Sequence, residues 1–138
     1  MLSQETAMRM IARRLHLLEN RVASRVCVEF RNPTWLKDSI FALLAEHRAA
    51  YCVMSGAGFP CVLRATAPFV YVGLHGRGNH HLYAGSYCDD DLGWSADRVR
   101  EWRDMGRDVF VYFNNDGGGN AVRNALTLKL MVGARIHR

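Results

Sequence analysis

Hydrophobic residues recur along this chain in two alternating rhythms. Between residues 4 and 24 the step is three or four. Met8, Ile11, Leu15, Leu18 and Val22 form one stripe, which predicts an amphipathic helix with Ser3 as its N-cap. From Val26 to Phe30 the step is two, and the residues favour strand. Val26, Val28 and Phe30 take one side; Cys27, Glu29 and Arg31 take the other. Asn32-Pro33 stops this strand, because proline has no N–H for a ladder. A helix is expected next, capped by Thr34 and running to about His47, with Ile40, Leu43, Leu44 and His47 on one face.

The pattern then repeats. Ala50–Met54 is a short apolar run, ended by Ser55-Gly56-Ala57-Gly58 and followed by a long loop to Pro68. Phe69–Leu74 is the third strand, with His75-Gly76-Arg77-Gly78 directly after it. A second loop holds His80, His81, Tyr83 and Tyr87. Asp89, Asp90 and Asp91 load the first turn of the next helix, where negative charge suits the dipole. Leu92, Ala96, Val99 and Trp102 face inward, and Gly106 ends the helix. Val109–Phe113 is the fourth strand. A last helix covers about 120–132 with Ala121, Ala125, Leu128 and Val132 inward, and the tail from Gly133 to Arg138 is expected to fray. Apolar strands alternating with amphipathic helices predict an α/β fold: a parallel (β/α)4 sheet covered by helices and preceded by an N-terminal helix.

Composition narrows this picture only slightly. The 138 residues suit one domain, with 49% hydrophobic and 22% charged residues. No apolar run reaches the roughly 18–20 residues that span a bilayer, and no signal peptide is evident, so the expected location is the cytoplasm with no membrane contact. The net charge of +5 could draw nucleic acid or a phosphorylated ligand; a solvated basic surface accounts for it as well. Cys27, Cys52, Cys61 and Cys88 form no CxxC pair, and Cys27 and Cys52 read as reduced core residues. His80 and His81 are adjacent, so their side chains diverge, and no metal site or cofactor is expected.

In parallel α/β folds the ligand end lies at the carboxyl ends of the strands. Those ends carry Glu29 and Arg31, then Ser55, then His75, then Asn114 and Asn115. Alternation puts Tyr71, Gly73 and His75 on one face, and Phe110, Tyr112 and Asn114 on one face. Glu29 suits acid–base work, or an ordinary structural pair with Arg31. Arg31 suits a carboxylate or phosphate, and His75 suits proton transfer near neutral pH. Asn114 and Asn115 can orient a ligand or simply form turns. The run Asn115-Asp116-Gly117-Gly118-Gly119-Asn120 ahead of a helix is a weak anion cradle. It is no P-loop, and Asp116 opposes an anion.

EFRNPTW at 29–35, VYVGLHG at 70–76 and VFVYFNNDGGGNAVRNALTL at 109–128 resemble the domain-of-unknown-function-72, or YecE-like, family. The resemblance extends over nearly the whole chain and implies a relation to TIM barrels, without an established activity. By that resemblance Glu29, Arg31, Trp35, His75, Gly76, Tyr83, Tyr87, Asn114, Asn115 and Asp116 line the pocket; Glu29 and His75 are read as its catalytic pair and the others as ligand-binding. Three positions depart from the family. Asn32 stands for a histidine, Gly56 for an aspartate and Gly73 for an arginine, so the presumed site loses two charges.

A (β/α)8 barrel takes about 250 residues. The four strands here resemble strands five to eight, which makes the single domain, residues 1–138, half a barrel. Closure then calls for a homodimer or a separate first-half chain, unless the sequence is a fragment of a longer protein. The expected function is acid–base chemistry on a small anionic or polyhydroxyl ligand at the strand ends. The alternatives are a nucleic-acid or protein-binding module using the arginine-bearing first helix, and an inactive remnant.

Overall fold

The computed structural model describes residues 3–19, 25–56, 58–77 and 83–133. The 20–24 end of the first predicted helix, His80, His81 and the tail beyond Gly133 lie outside them.

Helix α1 spans Gln4–Glu19, and Ser3 caps it as expected, its Oγ accepting from the Thr6 amide at 3.2 Å. Strands β1 (Cys27–Val28), β2 (Ala50–Ser55), β3 (Phe69–Leu74) and β4 (Asp108–Phe113) form one parallel sheet in the order β1-β2-β3-β4. Helices α2 (Asp38–Glu46), α3 (Asp89–Asp104) and α4 (Asn120–Gly133) follow β1, β3 and β4. The connection from β2 to β3 carries no helix, as the Gly- and Pro-punctuated stretch predicted. No helix among the described residues is long and apolar enough to cross a membrane.

The register decides which side chains share a face. Cys27 pairs with Ala50, and Phe69 with Asp108; Cys52, Tyr71 and Phe110 form one row, and Met54, Gly73 and Tyr112 the next. The opposite face sends Tyr51, Val53, Val70, Val72 and Leu74 into one cluster with Ile40 and Leu44 of α2, Leu92 and Ala96 of α3 and Leu128 of α4. Burying each of the larger side chains contributes about 1.5–3 kcal/mol. The exposed ion pairs Arg9–Glu5 and Arg64–Asp38 contribute about 0–1 kcal/mol each, so the helix-side core fixes the strand positions.

Two expected elements come out shorter. The first strand is two residues long, not five, because the chain already turns at Glu29. Phe30 stacks on Trp35 at 5.9 Å, and the Asn32 Oδ1 accepts from both the amide and the hydroxyl of Thr34. These bonds close a 3-10 turn over Pro33–Trp35, so α2 starts at Asp38 and Thr34 is not its cap.

The face away from the helices stays open at β4, where Phe110 and Tyr112 are 37% and 49% exposed. Edge strands of a flat four-stranded sheet lie roughly 14 Å apart. Here Arg25, just ahead of β1, reaches Asp108 at the start of β4 at 2.6 Å. On the way its guanidinium passes within 5.6 and 5.3 Å of the centres of the Phe69 and Phe110 rings.

Candidate functional site

The open face ends, at the carboxyl ends of the strands, in a group of polar side chains. Arg31 Nε donates to Glu29 Oε1 at 2.7 Å, and Arg31 Nη1 donates to the Tyr83 hydroxyl at 3.3 Å. The second carboxylate oxygen of Glu29 faces the Cys52 thiol at 4.0 Å. The Tyr83 ring lies 5.7 Å from that of His75, and the Tyr83 amide donates to the His75 carbonyl at 3.0 Å. Asn114 Nδ2 lies 3.3 Å from His75 Nδ1. With the amide donating, Nδ1 accepts and the imidazole proton sits on Nε2. Five of the expected site residues therefore meet here: Glu29, Arg31, His75, Tyr83 and Asn114.

His75 is the most unusual of them. Its side chain is 2% exposed, and Nε2 has no hydrogen-bond partner among the described residues. A buried donor left in that state costs about 1–3 kcal/mol. Tyr51 Oη and Asn115 Oδ1 are also without partners, but they lie on the helix-covered side. His75 Nε2 instead packs closely against Gly73, where a Cβ would stand 3.2 Å from Nε2 and 3.5 Å from Cys52 Sγ, so the ring sits where only glycine leaves room for it. Burial lowers the His75 pKa; Glu29 acts in the raising direction and Arg31 in the lowering one. The neutral ring is the resting form. Tyr83 adds backbone strain, since its φ of 68° is left-handed without being glycine.

Tyr71 and Tyr112 stack at 4.8 Å on the same face, two rows and one row from His75. They extend the polar group into a flat aromatic wall. The alternation that put Tyr71 with His75 and Tyr112 with Asn114 was the sequence signal for them. Cys52 carried no such signal beyond its place in a strand. Beside it, Cys27 has its pKa pushed far up by a hydrogen bond with the Cys52 thiol and by burial, so it stays protonated. All four cysteines are free.

The other expected site residues stand elsewhere. Trp35 packs against the helix-side core. Tyr87 has its hydroxyl between the Gly76 amide, which donates to it at 3.0 Å, and the Ser55 carbonyl, to which it donates at 3.1 Å. It ties the ends of β2 and β3 together. Asn115 is fully buried, its Nδ2 donating to the Gly85 carbonyl and to Asn124 Oδ1 at 2.9 Å each. Asp116 is exposed ahead of the Gly117–Gly119 turn. Gly76 and Tyr87 instead line a separate cleft of about 440 Å³ with Gly56, Arg77, Asp91 and Trp94, on the α3 side of the rim. Gly56, at φ 104°, admits no side chain in this backbone, because a Cβ would stand 2.1 Å from the Gly76 carbonyl oxygen. Among the described residues no cluster of His, Cys, Asp and Glu is arranged to hold a metal ion.

Comparison with known proteins places the chain. The family model described as "Protein of unknown function DUF72" matches residues 3–138. A crystal structure of a DUF72 family protein from Enterococcus faecalis superposes with a TM-score of 0.80 at 17% identity, covering 99% of this chain and 56% of that one. One from Thermotoga maritima gives 0.78 at 23% identity, covering 96% of this chain and 53% of that one. The chain thus spans little more than half the length of these relatives. Among curated proteins no match is found. The chain belongs to the DUF72 family.

Proposed function

We propose that this DUF72 chain binds a small polyhydroxyl or anionic molecule at the strand ends on the open face of its sheet, and that Glu29 and His75 move a proton on it. The observation that carries the reading is the buried His75 Nε2 with its proton and no partner among the described residues, within the group formed by Glu29, Arg31, Tyr83 and Asn114. A ligand oxygen there would take the hydrogen bond that the protein leaves unmade. The neutral imidazole then serves as hydrogen-bond donor and polarises that oxygen; near its lowered pKa it takes up and returns a proton. Glu29, fixed at one oxygen by Arg31, offers its other oxygen as base. Arg31 and Asn114 orient the ligand, and the stacked Tyr71 and Tyr112 give a sugar-like ring a flat apolar surface.

The residues favour this class over a large apolar ligand, since the group mixes one carboxylate, one guanidinium, one imidazole and one amide. It also fits a half-barrel whose rim is the ligand end. The test is calorimetric titration with hexoses, polyols, sugar phosphates and small carboxylates. The expected result is binding of at least one class by the parent chain and at least tenfold weaker binding by both Glu29→Gln and His75→Ala. Equal affinity in the parent and both variants would remove the reading.

A further inference from the structure

We infer, on the basis of the acid–base reading above, that the molecule held at the strand ends is an uncharged sugar in its ring form and not an anion. Hydrogen-bond capacity, charge and shape each favour it.

Two groups of the site have hydrogen-bond capacity to give. His75 Nε2 carries a proton, is buried and has no acceptor among the described residues. Glu29 Oε2 is an acceptor, with the Cys52 thiol at a long 4.0 Å. A ligand that serves both must accept at one point and donate at another. Hydroxyl groups do both. An ionised carboxylate accepts only, as does a phosphate dianion. Either would satisfy His75 while setting its own oxygens against the open oxygen of Glu29.

Charge points the same way. The charges that reach His75 are those of Glu29 and Arg31, opposite in sign and bonded to each other at 2.7 Å. Arg31 also donates to the Tyr83 hydroxyl at 3.3 Å, so its guanidinium is turned toward protein partners. An anion would compete with Glu29 for it. The glycine run after β4 offers no replacement. The amides of Gly119, Asn120 and Ala121 already donate to the carbonyls of Asp116, Gly117 and Asn115. The Arg123 guanidinium donates to Asn120 Oδ1 at 2.7 Å, and the exposed Asp116 stands at the head of that turn.

Shape decides between ring and chain. Tyr71 and Tyr112 stack with ring centres 4.8 Å apart and planes 16° from parallel. Tyr112 lies in the row of Gly73, so the aromatic surface begins one row from the imidazole. The C–H face of a sugar ring is apolar and flat enough to lie on it, while hydroxyls at the ring's edge reach Glu29 and His75. An open-chain polyol carries the same hydroxyls but presents no face, and it has more rotational freedom to lose.

Calorimetric titration of the full chain tests this with aldohexoses, their 6-phosphates, and the aldonates and alditols derived from them. An aldohexose should bind, its 6-phosphate and aldonate no tighter, and its alditol about tenfold weaker. Affinity for the aldohexose should hold constant from low to high salt, since no ion pair forms. Tyr112→Phe should keep that affinity and Tyr112→Ala should weaken it about tenfold. Tyr112 is half exposed, so truncating it leaves the core intact. A 6-phosphate or aldonate that binds about tenfold tighter than its parent sugar, with affinity falling as salt rises, would overturn the inference and leave the acid–base reading in place. An alditol as tight as its aldohexose, or no binding of any aldohexose, would overturn it too. Sugar binding that ignores both Glu29→Gln and His75→Ala would remove the acid–base reading, and this inference with it.

Discussion

At the scale of single residues the account turns on His75. Its folded pKa lies below the ordinary 6.5 because the ring is buried, with Glu29 opposing and Arg31 adding to the shift. The unfolded chain therefore takes up a proton, as pH falls through about 6.5, that the folded chain refuses until lower pH. The stability linked to this group is complete above 6.5 and is lost on acidification. His75→Gln should flatten that part of the profile, so urea midpoints of parent and variant should converge as pH drops from about 7.5 to 5.5. Midpoints that stay parallel would show that the ring titrates normally. That His75 would sit at a rim was legible from its place after an apolar run. Its unpaired nitrogen was not, because the ring packs against Gly73, which sequence reading treats as a missing charge. The glycine at 56 is similar: it reads as a lost aspartate, but the backbone there has no room for a side chain.

At the scale of elements, the strands and helices followed from periodicity, while their junctions did not. Strand β1 is cut short by side chains of the turn that follows it, at Asn32 and Trp35, and a propensity for strand at Glu29 and Phe30 cannot register that. Asn115 read as a ligand group because it follows a strand, and Tyr87 because the family resemblance implies it. They are used instead to fasten elements to one another. Asn124 of α4 is the centre of that fastening: its Oδ1 accepts from the Tyr87 amide at 3.1 Å and from Asn115 Nδ2 at 2.9 Å, and its Nδ2 donates to Ser86 Oγ at 3.1 Å. Nothing in a helical repeat signals a buried asparagine tied to a distant loop. Asn124→Ala strands the buried Tyr87 amide and removes one of the two bonds of Asn115 Nδ2, and should cost about 2 kcal/mol. Urea unfolding checks this. A loss under about 1 kcal/mol would mean that the network is slack.

At the scale of the molecule, four parallel strand units and their order were legible because helix and strand rhythms alternate without ambiguity. The contact that Arg25 makes across the open face was not, since its partner Asp108 stands 83 positions away. The claim on which the site depends is that Glu29 and Arg31, from the end of β1, and His75, from the end of β3, share one local electrostatic field. Nitrogen NMR titration of the His75 ring tests it most directly. Glu29→Gln should lower the imidazole pKa, and Arg31→Met should raise it. An unchanged pKa in both variants would separate the three side chains and contradict the account.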